Sequence, residues 1–151
     1  MRNLAILVGL LALAWWLAEP QPPAAGPERV AETFTRCGAR GGDFACVVDG
    51  DSFRLGERRI RIRGIDAPER EGACPAETQL AAKATDRLTE LLNRGPFVMT
   101  ARRGDERDRY GRQLRVLTRR GVDGTERSIG EAMVSAGLAH DYSGAKTSWC
   151  S

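Results

Sequence analysis

Residues 59–65 read Arg-Ile-Arg-Ile-Arg-Gly-Ile, and this alternation constrains the fold more than any other stretch of the chain. Side chains on a strand point alternately to its two faces. Ile60 and Ile62 therefore share a core face, and Arg59, Arg61 and Arg63 form a cationic, solvent-facing row. The turn Gly56-Glu57-Arg58 precedes this strand, and Ser52-Phe53-Arg54-Leu55 precedes the turn. Phe44–Val48, Phe97–Thr100 and Gln113–Leu117 are further short β-rich runs.

Helical spacing appears twice. Pro75 suits a first turn, and Leu80, Ala84, Leu88, Leu91 and Leu92 fall on one side before Gly95-Pro96 stops the run. Ser128 with Glu131 three residues on is a capping box. Ile129, Met133 and Ala136 form its stripe, and Gly137 ends it. Short strands with helices give an α+β domain, and a small barrel is the natural way to remove strand edges.

The amino end reads differently. Arg2 precedes an apolar stretch, Leu4–Ala18, and a Pro-rich exit follows, which are the parts of an export signal. The run is short for a membrane span. The expected organisation is a signal peptide or anchor at 1–18, a Pro-rich linker at 19–34 and a folded domain at 35–151. The chain is then periplasmic or secreted, or tethered to the inner membrane where the signal stays uncleaved. The four cysteines fit an oxidising compartment. Cys37 and Cys46 flank a turn-rich stretch, so a local Cys37–Cys46 bridge leaves Cys74 to pair with Cys150. No Cys-x-x-Cys occurs, and the only histidine is His140. Zinc ribbons, thioredoxin-like chemistry and paired-His ribonuclease chemistry are thereby excluded. The net charge of +3 is a mild bias, although 21 of the 23 basic residues are Arg, the better phosphate ligand.

Three clusters carry candidate chemistry: Asp49-Gly50-Asp51-Ser52, Arg61 through Glu69, and Asp108-Arg109-Tyr110-Gly111-Arg112. A hairpin turning near residue 57 sets Asp51 almost opposite Asp66. Like charges so placed repel, and a hard divalent cation would reconcile them. Glu69, three residues past Asp66, can hold a water beside that ion. Phosphodiester hydrolysis needs such a set: a carboxylate to orient or deprotonate water, and cations to absorb charge on the phosphate oxygens.

These clusters resemble the thermonuclease family, the staphylococcal-nuclease-like domains. Val48-Asp49-Gly50-Asp51-Ser52 resembles the family's first motif, with Ser where Thr is usual. Arg61 five residues before Asp66-Ala67-Pro68-Glu69 resembles the second, and Asp108–Arg112 the third. Gly137-Leu138-Ala139 resembles the segment after the second helix. The resemblance covers about 43–142.

It implies a five-stranded OB-type barrel with two or three packed helices. It also implies calcium-dependent endonuclease activity on DNA and RNA, giving 3′-phosphate products. Carried over by position, Asp51, Asp66 and the carbonyl of Ala67 hold Ca2+, and Glu69 is the general base or water-positioning group. Arg61 and Arg112 bind the scissile phosphate. Asp49 and Ser52 support the ligands, Arg109 and Tyr110 contact a terminal phosphate, and Tyr142 lies near the base. The chain is expected to act as a monomer. The alternative is a nucleic-acid-binding OB module without catalysis. Such modules typically lose these carboxylates or arginines, whereas all are present here.

Overall fold

The structure is a computed structural model, and it describes residues 26–39 and 44–150. The export signal expected at 1–18 lies outside the described residues. Among these residues, no helix is long and apolar enough to cross a membrane.

Among the described residues, ten strands and two helices follow in order: β1 (Glu28–Val30), β2 (Thr35–Arg36), β3 (Ala45–Asp49), β4 (Ser52–Leu55), β5 (Arg58–Ile62), β6 (Ile65–Asp66), α1 (Pro75–Asn93), β7 (Phe97–Thr100), β8 (Gln113–Arg120), β9 (Glu126–Ser128), α2 (Ile129–Ser135) and β10 (His140–Asp141). The main sheet runs β1-β7-β8-β5-β4-β3-β2, with β9 on β8. β2 runs parallel to β3 and β5 parallel to β8, so the sheet is mixed. β6 and β10 form a separate two-stranded ladder. The result is an α+β domain with a curled mixed sheet, a half-barrel, against two helices. The curl of this sheet is consistent with an OB-type fold.

The alternation at 58–62 behaves as its pattern dictates. Ile60 and Ile62 are fully buried, and Ile60 lies opposite Phe53. Two expectations about this strand need correction. It stops at Ile62, because Gly64 takes φ +80°, a conformation that suits glycine, and the chain turns before Ile65 starts β6. The arginine row is also not uniformly solvated, since the Arg61 side chain is only 12% exposed.

The linker boundary moves too. Glu28–Val30 pairs with β7, Val30 and Phe34 are buried, and Glu28 takes both terminal nitrogens of Arg58. The folded domain thus begins by Glu28, inside the segment read as linker. Asn93 fixes this start from the end of α1. Its side-chain amide accepts from the Phe34 N–H and donates to the Phe34 carbonyl, both at 2.8 Å. Phe34, Phe53 and Phe97 then meet at 5.4–6.5 Å in the core.

Helix α1 begins at Pro75 as read, and it buries Ala84, Leu88, Leu91 and Leu92. Leu80 is only half-buried, and Ala81 takes the core position beside it. The Arg119 guanidinium reaches the carbonyls of Leu92, Gly95 and Pro96, supplying donors that the helix end lacks. At α2 the Ser128 hydroxyl accepts from the Glu131 N–H, as the capping box predicts. Ile129 and Met133 are buried, while Ala136 is the exposed C-cap rather than part of the stripe. Both disulfides pair as the spacing suggests, Cys37–Cys46 and Cys74–Cys150.

Candidate active site

The β3–β4 hairpin carries the first cluster. Its register shifts between Val47 and Asp49, a bulge that re-aims the turn. Asp49 then pairs with Ser52 across Gly50 and Asp51. Gly50 is required by space: a Cβ there would lie 2.6 Å from the Ala84 Cβ on α1 and 2.8 Å from the Ala67 Cβ. This close approach presses the turn against the helix and buries Asp51.

Asp51 and Asp66 come together, but not as cross-strand neighbours. Ser52 pairs with Arg61, and the Asp51 carbonyl accepts from the Ile62 N–H. Asp66 lies beyond the turn, in β6 opposite His140. What joins the two carboxylates is Arg61. Its Nη2 lies 2.9 Å from Asp51 Oδ2 and 3.0 Å from Asp66 Oδ1, and its Nη1 donates to Asp51 Oδ1 at 3.2 Å. Both carboxylates are buried. The Ser52 hydroxyl donates to Asp51 Oδ1 at 2.6 Å, and the Ala67 N–H donates to Asp51 Oδ2. Burial pushes the Asp51 carboxyl up to about 7, and the nearby Asp49 adds to the rise, against Arg61 and the Ser52 hydroxyl. Three carboxyl groups, Asp49, Asp51 and Asp66, thus gather around Arg61, with the Lys146 ammonium 3.8 Å from Asp66.

That excess of carboxyl groups, in an all-oxygen donor set, is of the kind that suits a hard divalent cation, which Asp51 and Asp66 could hold. Among the described residues, one tight group of three possible ligand atoms occurs elsewhere, at Cys74, Glu77 and Cys150. Its sulfurs are spent on a disulfide, so it offers no thiolate.

The third cluster is organised by Asp108. Its Oδ1 accepts from the N–H groups of Tyr110 and Arg112, and its Oδ2 pairs with Arg112 Nε at 2.6 Å. Burial alone would raise the Asp108 carboxyl, yet the hydrogen bonds of Arg112 hold it below the usual range. Arg112 Nη1 comes within 3.5 Å of the Ser52 hydroxyl, linking this loop to Asp51. The guanidiniums of Arg109 and Arg112 stand 4.9 and 5.5 Å from the Tyr110 ring centre.

These groups face a cleft of about 1150 Å³ that includes Arg61, Glu69, Arg109, Tyr110, Arg112 and Tyr142, with seven basic side chains against three acidic ones. Asp51 and Asp66 are not in its lining, and Arg61, which is, contacts both. Tyr142 is anchored by its N–H to the Gly64 carbonyl.

Glu69 has partners that the sequence reading did not supply. Its N–H donates to Glu77 Oε1 at 3.2 Å, and Ala73 N–H donates to Glu77 Oε2, so a buried first-turn glutamate of α1 fixes the 69–73 loop. The Glu69 side chain meets Lys146 Nζ at 2.6 Å, and the same ammonium lies 3.8 Å from Asp66 Oδ1. The Glu69 contact holds the Lys146 ammonium above its ordinary pKa range. Its sequence signal was indirect: a rare lysine, four residues before a cysteine bonded to the start of α1. Trp149 was also missed, and its ring stacks on His140 at 3.8 Å.

Fold and site define an α+β domain whose strands and turns gather carboxylates and guanidiniums at a cationic cleft. A family model described as staphylococcal nuclease homologue matches residues 59–149, and the chain belongs to that family. The match includes Arg61, Asp66, Glu69 and Arg112, whereas Asp49, Asp51 and Ser52 lie outside it. Two Bacillus subtilis (strain 168) proteins are similar over 97 residues, or 62% of this chain. Endonuclease YncB is 31% identical, and the SPbeta prophage-derived endonuclease YokF is 32% identical. The aligned part spans 44% and 31% of their own lengths, respectively.

Proposed function

We propose that this chain is a calcium-dependent endonuclease, exported from the cytoplasm, that hydrolyses phosphodiester bonds of DNA and RNA and leaves 3′-phosphates. One observation carries the reading. Arg61, in the lining of a cationic cleft, bridges two buried carboxylates, and Glu69 and Arg112 line the same cleft. Family membership and two relatives named endonucleases support it. A complete five-stranded OB-type barrel belongs to the same reading, supported by the curl of the sheet.

In this account Asp51, Asp66 and the Ala67 carbonyl hold the ion, and Asp49 and Ser52 support them. When bound, calcium neutralises charge on the phosphate oxygens. Arg61 and Arg112 bind the scissile phosphate and absorb the charge that builds as water attacks. Glu69 orients that water and takes its proton. Arg109 and Tyr110 contact the nucleotide's terminal phosphate, and Tyr142 offers a ring to a base.

The test is digestion of supercoiled plasmid, a single-stranded oligonucleotide and RNA by the purified protein, with calcium and with chelator. Calcium should yield fragments ending in 3′-phosphate, and chelator should stop cleavage. Undiminished hydrolysis in chelator contradicts the metal assignment, and binding without cutting favours a binding module. Export is tested by fractionating cells that express the chain with and without residues 1–18. Retention in the cytoplasm in both cases overturns it.

A further inference from the structure

The segment after β10 is fastened at two points. Cys150 is bonded to Cys74, immediately before α1, and Trp149 stacks flat on His140 with 2° between the planes. Buried His140 Nδ1 and Trp149 Nε1 have no hydrogen-bond partner among the described residues, so that contact rests on the rings. Between Tyr142, held to Gly64, and this double anchor, the chain crosses the cleft and presents Lys146 to Glu69.

An ion pair as exposed as this one adds little to stability, too little to hold residues 143–150 in place. The anchors hold the tail, and the tail delivers the ammonium. The effect is therefore one of position. Glu77 fixes the backbone of Glu69, but a glutamate side chain still rotates about three bonds. Among the described residues, Lys146 is the partner that holds its carboxylate. A reacting group held in one geometry gains rate through orientation.

We propose that Lys146 is a positioning residue of the active site. A disulfide-fastened tail carries it in, and its ammonium fixes the Glu69 carboxylate toward the phosphodiester. This rests on the reading of Glu69 as the water-orienting group. It also makes the Cys74–Cys150 bridge part of the catalytic apparatus.

The experiment measures kcat and KM on a single-stranded oligonucleotide, its binding affinity in chelator, and thermal melting to confirm folding. Lys146→Ala should lower kcat roughly 10- to 100-fold, with KM and affinity within about threefold. Lys146→Arg should recover most of the loss. In a Glu69→Gln background, Lys146→Ala should cost nothing more. The Cys74→Ser/Cys150→Ser variant keeps the Cys37–Cys46 bridge. It should show the same fall in kcat, and adding Lys146→Ala should not deepen it. Unchanged or raised kcat in Lys146→Ala overturns the proposal, as do losses that multiply with Glu69→Gln or a change confined to KM. If Glu69→Gln is slow while Lys146→Ala is not, this proposal alone falls. If Glu69→Gln cuts at the wild-type rate, or the wild type cuts nothing, the reading beneath it falls too.

Discussion

Arg61 Nη2 lies 3.0 Å from Asp66 Oδ1, and the same nitrogen lies 2.9 Å from Asp51 Oδ2. One guanidinium thus holds together two buried carboxylates that arrive from different segments, Asp51 from the β3–β4 turn and Asp66 from β6. Removing it leaves both uncompensated, and breaking a buried ion pair from one side costs about 3–5 kcal/mol. Arg61→Ala should melt lower than wild type in chelator by an amount of that order. Calcium should then raise its melting temperature more than it raises the wild type's, because the guanidinium no longer competes for the same oxygens. Equal shifts in the two proteins would mean that calcium does not bind at Asp51 and Asp66.

Gly50 tests how the site is seated on the helix. Gly50→Ala puts a methyl group within 2.8 Å of two buried alanine side chains, Ala67 and Ala84. Overpacking of this kind costs about 1–3 kcal/mol. Chemical denaturation should show that loss, and Gly50→Ala combined with Ala84→Gly should recover part of it. A Gly50→Ala variant as stable as wild type would mean that the turn does not press on α1.

The two disulfides should differ in weight. The Cys74–Cys150 bridge spans 76 residues and Cys37–Cys46 spans 9. In the chain-entropy model the longer loop is worth about 4–5 kcal/mol and the shorter one less than 3. Cys74→Ser/Cys150→Ser should therefore lose more stability in denaturant than Cys37→Ser/Cys46→Ser. The reverse order would contradict the loop-length argument.

Arg112→Ala should lower the cleavage rate about 10²–10³-fold, the usual cost of losing one donor to transition-state charge. Asp108 still accepts the Tyr110 and Arg112 N–H groups, so the loop should keep its form and circular dichroism should change little. Normal turnover would move the catalytic guanidinium elsewhere.

Much of this arrangement is legible in the sequence, for identifiable reasons. The period of two at 59–62 leaves Ile60 and Ile62 no other face to take. Ser128 and Glu131 announce α2 through capping chemistry, and an even cysteine count with one short spacing leaves a natural pairing. What was not legible depends on three-dimensional closure. Gly64 breaks the expected strand and moves Asp66 into another ladder, so Asp51 and Asp66 meet through Arg61 rather than across a hairpin. Val30 and Phe34 join the core from a segment whose prolines read as linker, because β7 offers Val30 an edge and Asn93 holds the Phe34 backbone. Lys146 meets Glu69 across 77 residues, a contact that follows only once the Cys74–Cys150 bridge is given a direction over the cleft.

The central claim is that Glu69 works on water while Arg61, Arg112 and a bound cation hold the nucleic acid, and Glu69→Gln separates the two most directly. The exchange keeps size and hydrogen bonding and removes the charge. Measured with calcium on a single-stranded oligonucleotide, the variant should bind with affinity equal to or above that of wild type. It should cut about 10²–10⁴-fold more slowly, the range typical of a lost general base. Cleavage at the wild-type rate would contradict the account and leave Glu69 as a turn residue after Pro68.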